Sequence, residues 1–112
     1  MGHYTFGKEE RIRLRADFLR TFRDGEYHRT PHFRVFIYPN ALSQRRLGIS
    51  VSKRIGGAVE RNRLKRRIRE FFRLNKELIP GSSDVVISAQ EGAAQLDYGA
   101  LCEELKGVFQ KR

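Results

Sequence analysis

The sequence predicts a mixed fold of helices and strands, α+β or α/β, built as a two-layer sandwich. Two observations carry this. A long segment with one apolar stripe lies between strand-like segments, which suggests a parallel strand pair joined by a helical crossover. Further helical patterns stand near both ends of the chain. The length of 112 residues suits one domain spanning residues 1–112, since domains most often run to about 100–150 residues. With 39% hydrophobic residues, eight Phe and four Tyr, there is apolar material for a single small core.

Residues 15–24 read as a short helix closed by Gly25. Phe18 and Phe22 stand four apart and share one face; Leu14, Ala16 and Leu19 suggest a second apolar contact. Residues 32–38 alternate as a strand does, with Phe33, Val35 and Ile37 on one side and His32, Arg34, Phe36 and Tyr38 on the other. Pro31 and Pro39 bracket it, and residues 40–46 form a polar turn. Residues 47–52 form a second strand, with Leu47, Ile49 and Val51 apolar and Gly48, Ser50 and Ser52 small. The Gly56-Gly57 pair then precedes a helix over about 58–74, in which Leu64, Ile68, Phe71 and Phe72 make one buried stripe. Pro80 to Ser83 make a turn before a third strand over 84–89. A last helix runs from Asp97 to about Gln110, with Leu101, Leu105, Val108 and Phe109 as its apolar face.

The charge is unevenly placed. Lys and Arg number 23 against 13 Asp and Glu, a formal net charge of +10. Residues 45–73 alone carry +9, residues 1–44 carry +3 and residues 74–112 carry −2. Such a surplus on a small body implies a polyanionic partner. Arginines outnumber lysines 17 to 6, and a guanidinium grips phosphate bidentately and stacks on bases. Codon bias in a GC-rich genome also raises the Arg fraction, but it does not explain the clustering.

The sharpest motif is Arg61-Asn62-Arg63-Leu64-Lys65-Arg66-Arg67-Ile68-Arg69. A solvated helix face would pair these cations with acids at i±4, and here almost none exist. Instead Arg61 faces Lys65, Lys65 faces Arg69 and Arg63 faces Arg67, each like-charge pair costing about 0.2–0.5 kcal/mol. Several of them also stand near the positive end of the helix dipole. An external polyanion is the natural explanation. A second candidate surface is the sheet face opposite the core, carrying Arg34, Phe36, Ser50 and Ser52, with Val86, Ser88 and Gln90 facing the same way. If the helix with Phe18 and Phe22 borders it, the result is a groove of aromatic rings, hydroxyls and cations that suits single-stranded nucleic acid. From spacing alone, the simpler reading keeps Phe18 and Phe22 in the core.

Other chemistry is absent from the pattern. His28 and His32 read as a surface pair, with Pro31 between them arguing against a helix. The single Cys102 excludes an intramolecular disulfide and a cysteine-based zinc site. No phosphate loop, metal-ligand spacing or nucleophile–base pair is visible. No run approaches the roughly 20 apolar residues of a spanning helix, so no membrane association is expected. No signal-peptide-like segment is visible, so a cytoplasmic location is expected.

The segment from Ile55 through Ala58 to Arg61-Asn62-Arg63-Leu64-Lys65-Arg66 resembles the protein component of bacterial ribonuclease P. That family's signature is an apolar residue, Ala three on, then Arg-Asn-basic-apolar-Lys-Arg. Two further stretches strengthen the resemblance: Arg13-Leu14-Arg15-Ala16-Asp17-Phe18-Leu19-Arg20-Thr21-Phe22, and Leu47 through Arg54. It covers about residues 6–110. The resemblance implies an α+β sandwich in the order αβββαβα, with a central mixed sheet and a left-handed βαβ crossover. This is the fold of the second domain of a small-subunit ribosomal protein.

It further implies an accessory subunit, without an active site of its own, of a ribonucleoprotein whose catalytic RNA removes the 5′ leader of precursor tRNA. Magnesium would be held mainly by that RNA, and no obligate protein partner is implied. Carried onto this chain, Arg61, Asn62, Arg63, Lys65, Arg66, Arg67 and Arg69 would contact the catalytic RNA. Phe18, Phe22, Arg34, Phe36, Ser50, Ser52 and Lys53 would line the leader groove, which overrides the spacing-only preference for buried rings. The alternatives are a basic RNA-binding protein of ribosomal type and a stand-alone nuclease. The second has no general-base constellation to support it.

Overall fold

The computed structural model of the chain describes residues 7–110. The elements are α1 (Arg15–Asp24), β1 (Glu26–Arg29), β2 (Phe33–Pro39), β3 (Arg46–Ser50), α2 (Ala58–Leu74), β4 (Ser83–Ala89) and α3 (Tyr98–Gln110), with one short 3-10 turn before α1 and three between later elements. The order αβββαβα agrees with the resemblance. The bounds of α1 and α2 agree with the periodicity reading. β1 does not emerge from alternation, because its four residues bury no side chain. The strand expected over 47–52 is β3, which ends at Ser50, so Ser52 lies just beyond it, and the last helix begins one residue after Asp97.

Local chemistry fixes the helix ends. α1 stops at Gly25, whose N–H donates to the Thr21 carbonyl at 2.9 Å. α2 starts at Gly57, whose N–H donates to Glu60 Oε1 at 2.9 Å, so an acid in the first turn satisfies an otherwise orphaned donor at the positive end of the dipole. α2 closes at Asn75, whose Nδ2 donates to the Phe71 carbonyl at 2.9 Å.

The sheet runs β1-β2-β4-β3. β1 and β2 are antiparallel, β2 and β4 are antiparallel, and β3 and β4 are the parallel pair that α2 connects. On the inner face, Phe33, Val35, Ile37, Leu47, Val85, Ile87 and Ala89 meet Leu64, Ile68, Phe71 and Phe72 of α2 and Leu101, Leu105, Val108 and Phe109 of α3 in one core. Burying each such aliphatic or aromatic side chain contributes about 1.5–3 kcal/mol.

The outer face is not left open along its whole length, because α1 packs against β2 and β4 there. The registers arrange this face in transverse rows. The first is Tyr38–Asp84–Arg46, the second Tyr27–Phe36–Val86–Gly48, and the third Arg29–Arg34–Ser88–Ser50. α1 covers the first two. Arg46 fixes it: its Nε and Nη2 donate to the two Asp84 carboxylate oxygens at 2.8 and 2.7 Å, and Nη2 also reaches Asp17 of α1 at 3.1 Å. Gly48 lets the helix come close, since a Cβ there would lie 2.9 Å from the Phe18 ring. The second apolar contact expected from Leu14, Ala16 and Leu19 is not buried: all three are exposed, while α1 turns Phe18, Thr21 and Phe22 to the sheet. At the other end of the sheet, Glu104 of α3 accepts from Thr30 Oγ1 at 2.5 Å and from the His32 N–H at 2.6 Å, and latches α3 to the β1–β2 connection.

Candidate nucleic-acid interface

α2 presents its cations on the side away from the core, and they meet different fates. Asn62, Arg63 and Arg66 are exposed, and their side chains make no hydrogen bond or ion pair among the described residues. Arg61 Nε donates to the Gly56 carbonyl at 3.1 Å, and Arg67 Nη1 donates to the Leu96 carbonyl at 2.6 Å. These two hold loops as well as charge. Glu70, one of the few acids on the helix, is taken by Arg73 at 2.6 Å.

Lys65 and Arg69 turn toward α1. With Arg11, Ile12, Phe18, Leu47, Gly48 and Ile49 they line a cleft of about 260 Å³. Burial lowers the Arg69 pKa, and the nearby charges of Arg11 and Arg66 lower it further. A positive field with an aromatic ring beside it is thus built where α1, β3 and α2 converge. A bound anion would relieve that repulsion.

The residues expected to form the leader groove fall into four places. Phe18 belongs to the cleft with Lys65 and Arg69. Phe22 packs on Phe36 with ring centroids 4.6 Å apart. Phe36 faces away from the core as alternation requires, but it is not an open platform. It is only 9% exposed, because Phe22 covers one side and Tyr27, with its centroid at 5.1 Å, covers another. Arg34, Ser50 and Ser52 come together with Arg54, Ser88 and Gln90 around a polar cleft of about 480 Å³ on the part of the face α1 leaves open. Lys53 is exposed in the turn after β3 and does not line that cleft.

Sequence reasoning missed Tyr27 and Arg29 because β1 leaves almost no pattern. Their alternation with His28 is a period-two signal, but only three residues long. His28 and His32 are each tied to a carboxylate, Glu26 and Glu104, at 2.8 and 2.9 Å. Among the described residues, no group of three or more His, Cys, Asp and Glu side chains is placed to hold a metal, and no helix is long and apolar enough to cross a membrane.

A four-stranded mixed sheet with a basic crossover helix and an outer face of rings, hydroxyls and guanidinium groups defines a small α+β RNA-binding protein. Comparison with known proteins is specific. The ribonuclease P family model matches residues 6–112. The ribonuclease P protein component of Syntrophus aciditrophicus is 45% identical over 111 residues, covering 99% of this chain and 93% of that one; its counterpart in Desulforapulum autotrophicum is 43% identical over 111 residues, with 99% and 95% covered. The solved ribonuclease P protein of Thermotoga maritima superposes with a TM-score of 0.83 at 36% identity, covering 92% of this chain and 97% of that one. That of Staphylococcus aureus gives 0.83 at 35%, covering 91% and 94%. The chain belongs to the ribonuclease P protein family, the accessory protein subunit of an RNA-catalysed endonuclease.

Proposed function

We propose that this chain joins the catalytic RNA of ribonuclease P through the exposed side of α2 and holds the single-stranded 5′ leader of precursor tRNA on the outer face of its sheet. Asn62, Arg63 and Arg66 serve the catalytic RNA, with Arg61, Lys65, Arg67 and Arg69 adding to the field. The leader passes the cleft of Phe18 and the polar cleft of Arg34, Ser50 and Ser52, with Lys53 beside it. The observation that supports this best is the polar cleft itself. It has hydroxyls and an amide for base edges, guanidinium groups for phosphate, and only one acid, Glu91, on its lining. Magnesium supplies the chemistry at the scissile bond when bound to the RNA. The described side chains offer no cluster to hold it, and no step is assigned to it on this chain. The protein's contribution is binding and positioning, in the cytoplasm, with no further protein required.

The test compares affinities of the reconstituted holoenzyme for precursor and mature tRNA at fixed salt and magnesium. Arg34→Ala with Ser52→Ala should lower precursor affinity several-fold and leave mature tRNA unchanged, since only the precursor carries a leader. Equal losses for both would overturn the leader assignment.

A further inference from the structure

We infer that the outer side of the β1–β2 edge is an additional binding site for single-stranded RNA, with Tyr27 as a stacking platform and Arg29 paired with Arg34 as a phosphate clamp. The inference rests on the leader reading and extends its path beyond the polar cleft to the edge of the sheet.

Three observations carry it. First, Arg29 and Arg34 are direct cross-strand partners, on the same side of an antiparallel pair. Like charges placed so are destabilising. Both are exposed, and neither makes a hydrogen bond or ion pair among the described residues. Four acids stand nearby and none forms an ion pair with either arginine. Glu26, in β1, is bonded to His28. Glu104, which with Glu103 lines a cleft beside Arg29 on the α3 side, is bonded to Thr30 and His32. Glu103 and Glu91, the latter across the polar cleft from Arg34, pair with neither. Second, the next pair on the same side is Tyr27–Phe36. Phe36 is enclosed, whereas Tyr27 keeps half its surface exposed. Phe22, Phe36 and Tyr27 form a strip of three rings, enclosed at Phe36 and open at both ends, with Phe22 on α1 and Tyr27 on the edge strand. Third, the two pairs stand two residues apart along the strands, about 6.6–6.8 Å, so a base on Tyr27 and a phosphate between the arginines are within reach of one nucleotide. Arg34 also lines the polar cleft, so the clamp and the cleft share a residue and form one continuous track. An exposed Tyr on an edge strand is ordinary by itself. Beside an unneutralised arginine pair that opens onto a polar cleft, it matches the chemistry of single-stranded RNA, which offers a ring face and a charged backbone together.

The test uses reconstituted holoenzyme, precursor tRNAs with leaders of graded length, and mature tRNA. With a long leader, Tyr27→Ala should reduce affinity by about fivefold or more, the weak end of the range for losing a base–aromatic stack. Tyr27→Phe should retain binding. Arg29→Ala should also weaken long-leader binding while its melting temperature holds or rises, because a repulsion has been removed; a purely structural role would lower it. Both effects should vanish once the leader is cut short of the edge, and mature tRNA should be unaffected. If the unsubstituted holoenzyme favours precursor over mature tRNA but neither variant changes affinity at any leader length, the edge site is wrong and the leader reading stands. If the unsubstituted holoenzyme shows no such preference, the leader reading itself fails.

Discussion

Gly48 shows how one missing atom shapes the interface. It lies in the middle of β3, where glycine weakens a strand and often marks close approach by another group. Here that group is Phe18, with Ile12 Cδ1 also only 3.3 Å from where a Cβ would stand. Gly48→Ala should therefore push the ring outward, lower stability by about 1–3 kcal/mol as overpacking does, and weaken precursor binding, with thermal melting and tRNA affinity measured on the same variant. Glu104 makes a second case. Burial raises its pKa, but hydrogen bonds from Thr30, the His32 ring and the His32 N–H outweigh this and leave it below the ordinary value. A depressed folded pKa contributes stability above the unfolded value of about 4.3 and loses it as pH falls through the folded one. Glu104→Gln should thus melt below the unsubstituted protein at pH 7, and the gap should narrow as the pH drops from about 5 toward 3. The outward direction of Phe36 is legible from alternation alone. Its burial is not, because that depends on α1 lying across its row, and the only local sign is the glycine at 48.

Both α1 and α2 are legible to the residue, because Gly25 and the Gly57–Glu60 box act within a single turn. β1 is not, since a four-residue edge strand that buries nothing leaves no hydrophobic pattern and is defined by pairing to β2. Within α2, the sequence marks seven polar positions as one basic face, and the structure divides them by partner. Arg63 and Arg66 are unpaired among the described residues and should act through charge. Replacing both by Ala should reduce the log–log salt slope of catalytic-RNA binding by about 0.7–0.9 per lost phosphate contact, with an unchanged melting temperature. Arg67→Ala should behave differently. It loses the bond to the Leu96 carbonyl and should lower stability by about 1 kcal/mol or more. A slope unaltered by the Arg63/Arg66 double variant would show that this side of α2 does not meet the RNA.

Across the whole molecule, two kinds of surface stand on one scaffold. The +9 segment over residues 45–73 supplies α2 with a dense row of cations, and a dense row binds chiefly by releasing counterions. The outer sheet face is chemically different: rings at Tyr27 and, from α1, Phe22, hydroxyls at Ser50, Ser52 and Ser88, and a few separate arginines, Arg29, Arg34 and Arg54, with the acid Glu91 beside them. The clustering of charge along the chain makes the first surface plain. The second depends on which strands pair and in what register, information that is spread over β1, β2, β3 and β4 and has no contiguous signature. This division predicts that salt separates the two activities. Assembly with the catalytic RNA should weaken steeply as salt rises. The ratio of precursor to mature tRNA affinity, which isolates the leader, should fall with a slope of only about −0.7 for each leader phosphate the sheet face contacts, because stacking and neutral hydrogen bonds release no counterions. Measuring both quantities over the same salt series at fixed magnesium checks it. If the ratio fell as steeply as assembly, the leader would be held by a cation row like that of α2, and the rings and hydroxyls of the sheet would have no part in choosing the substrate.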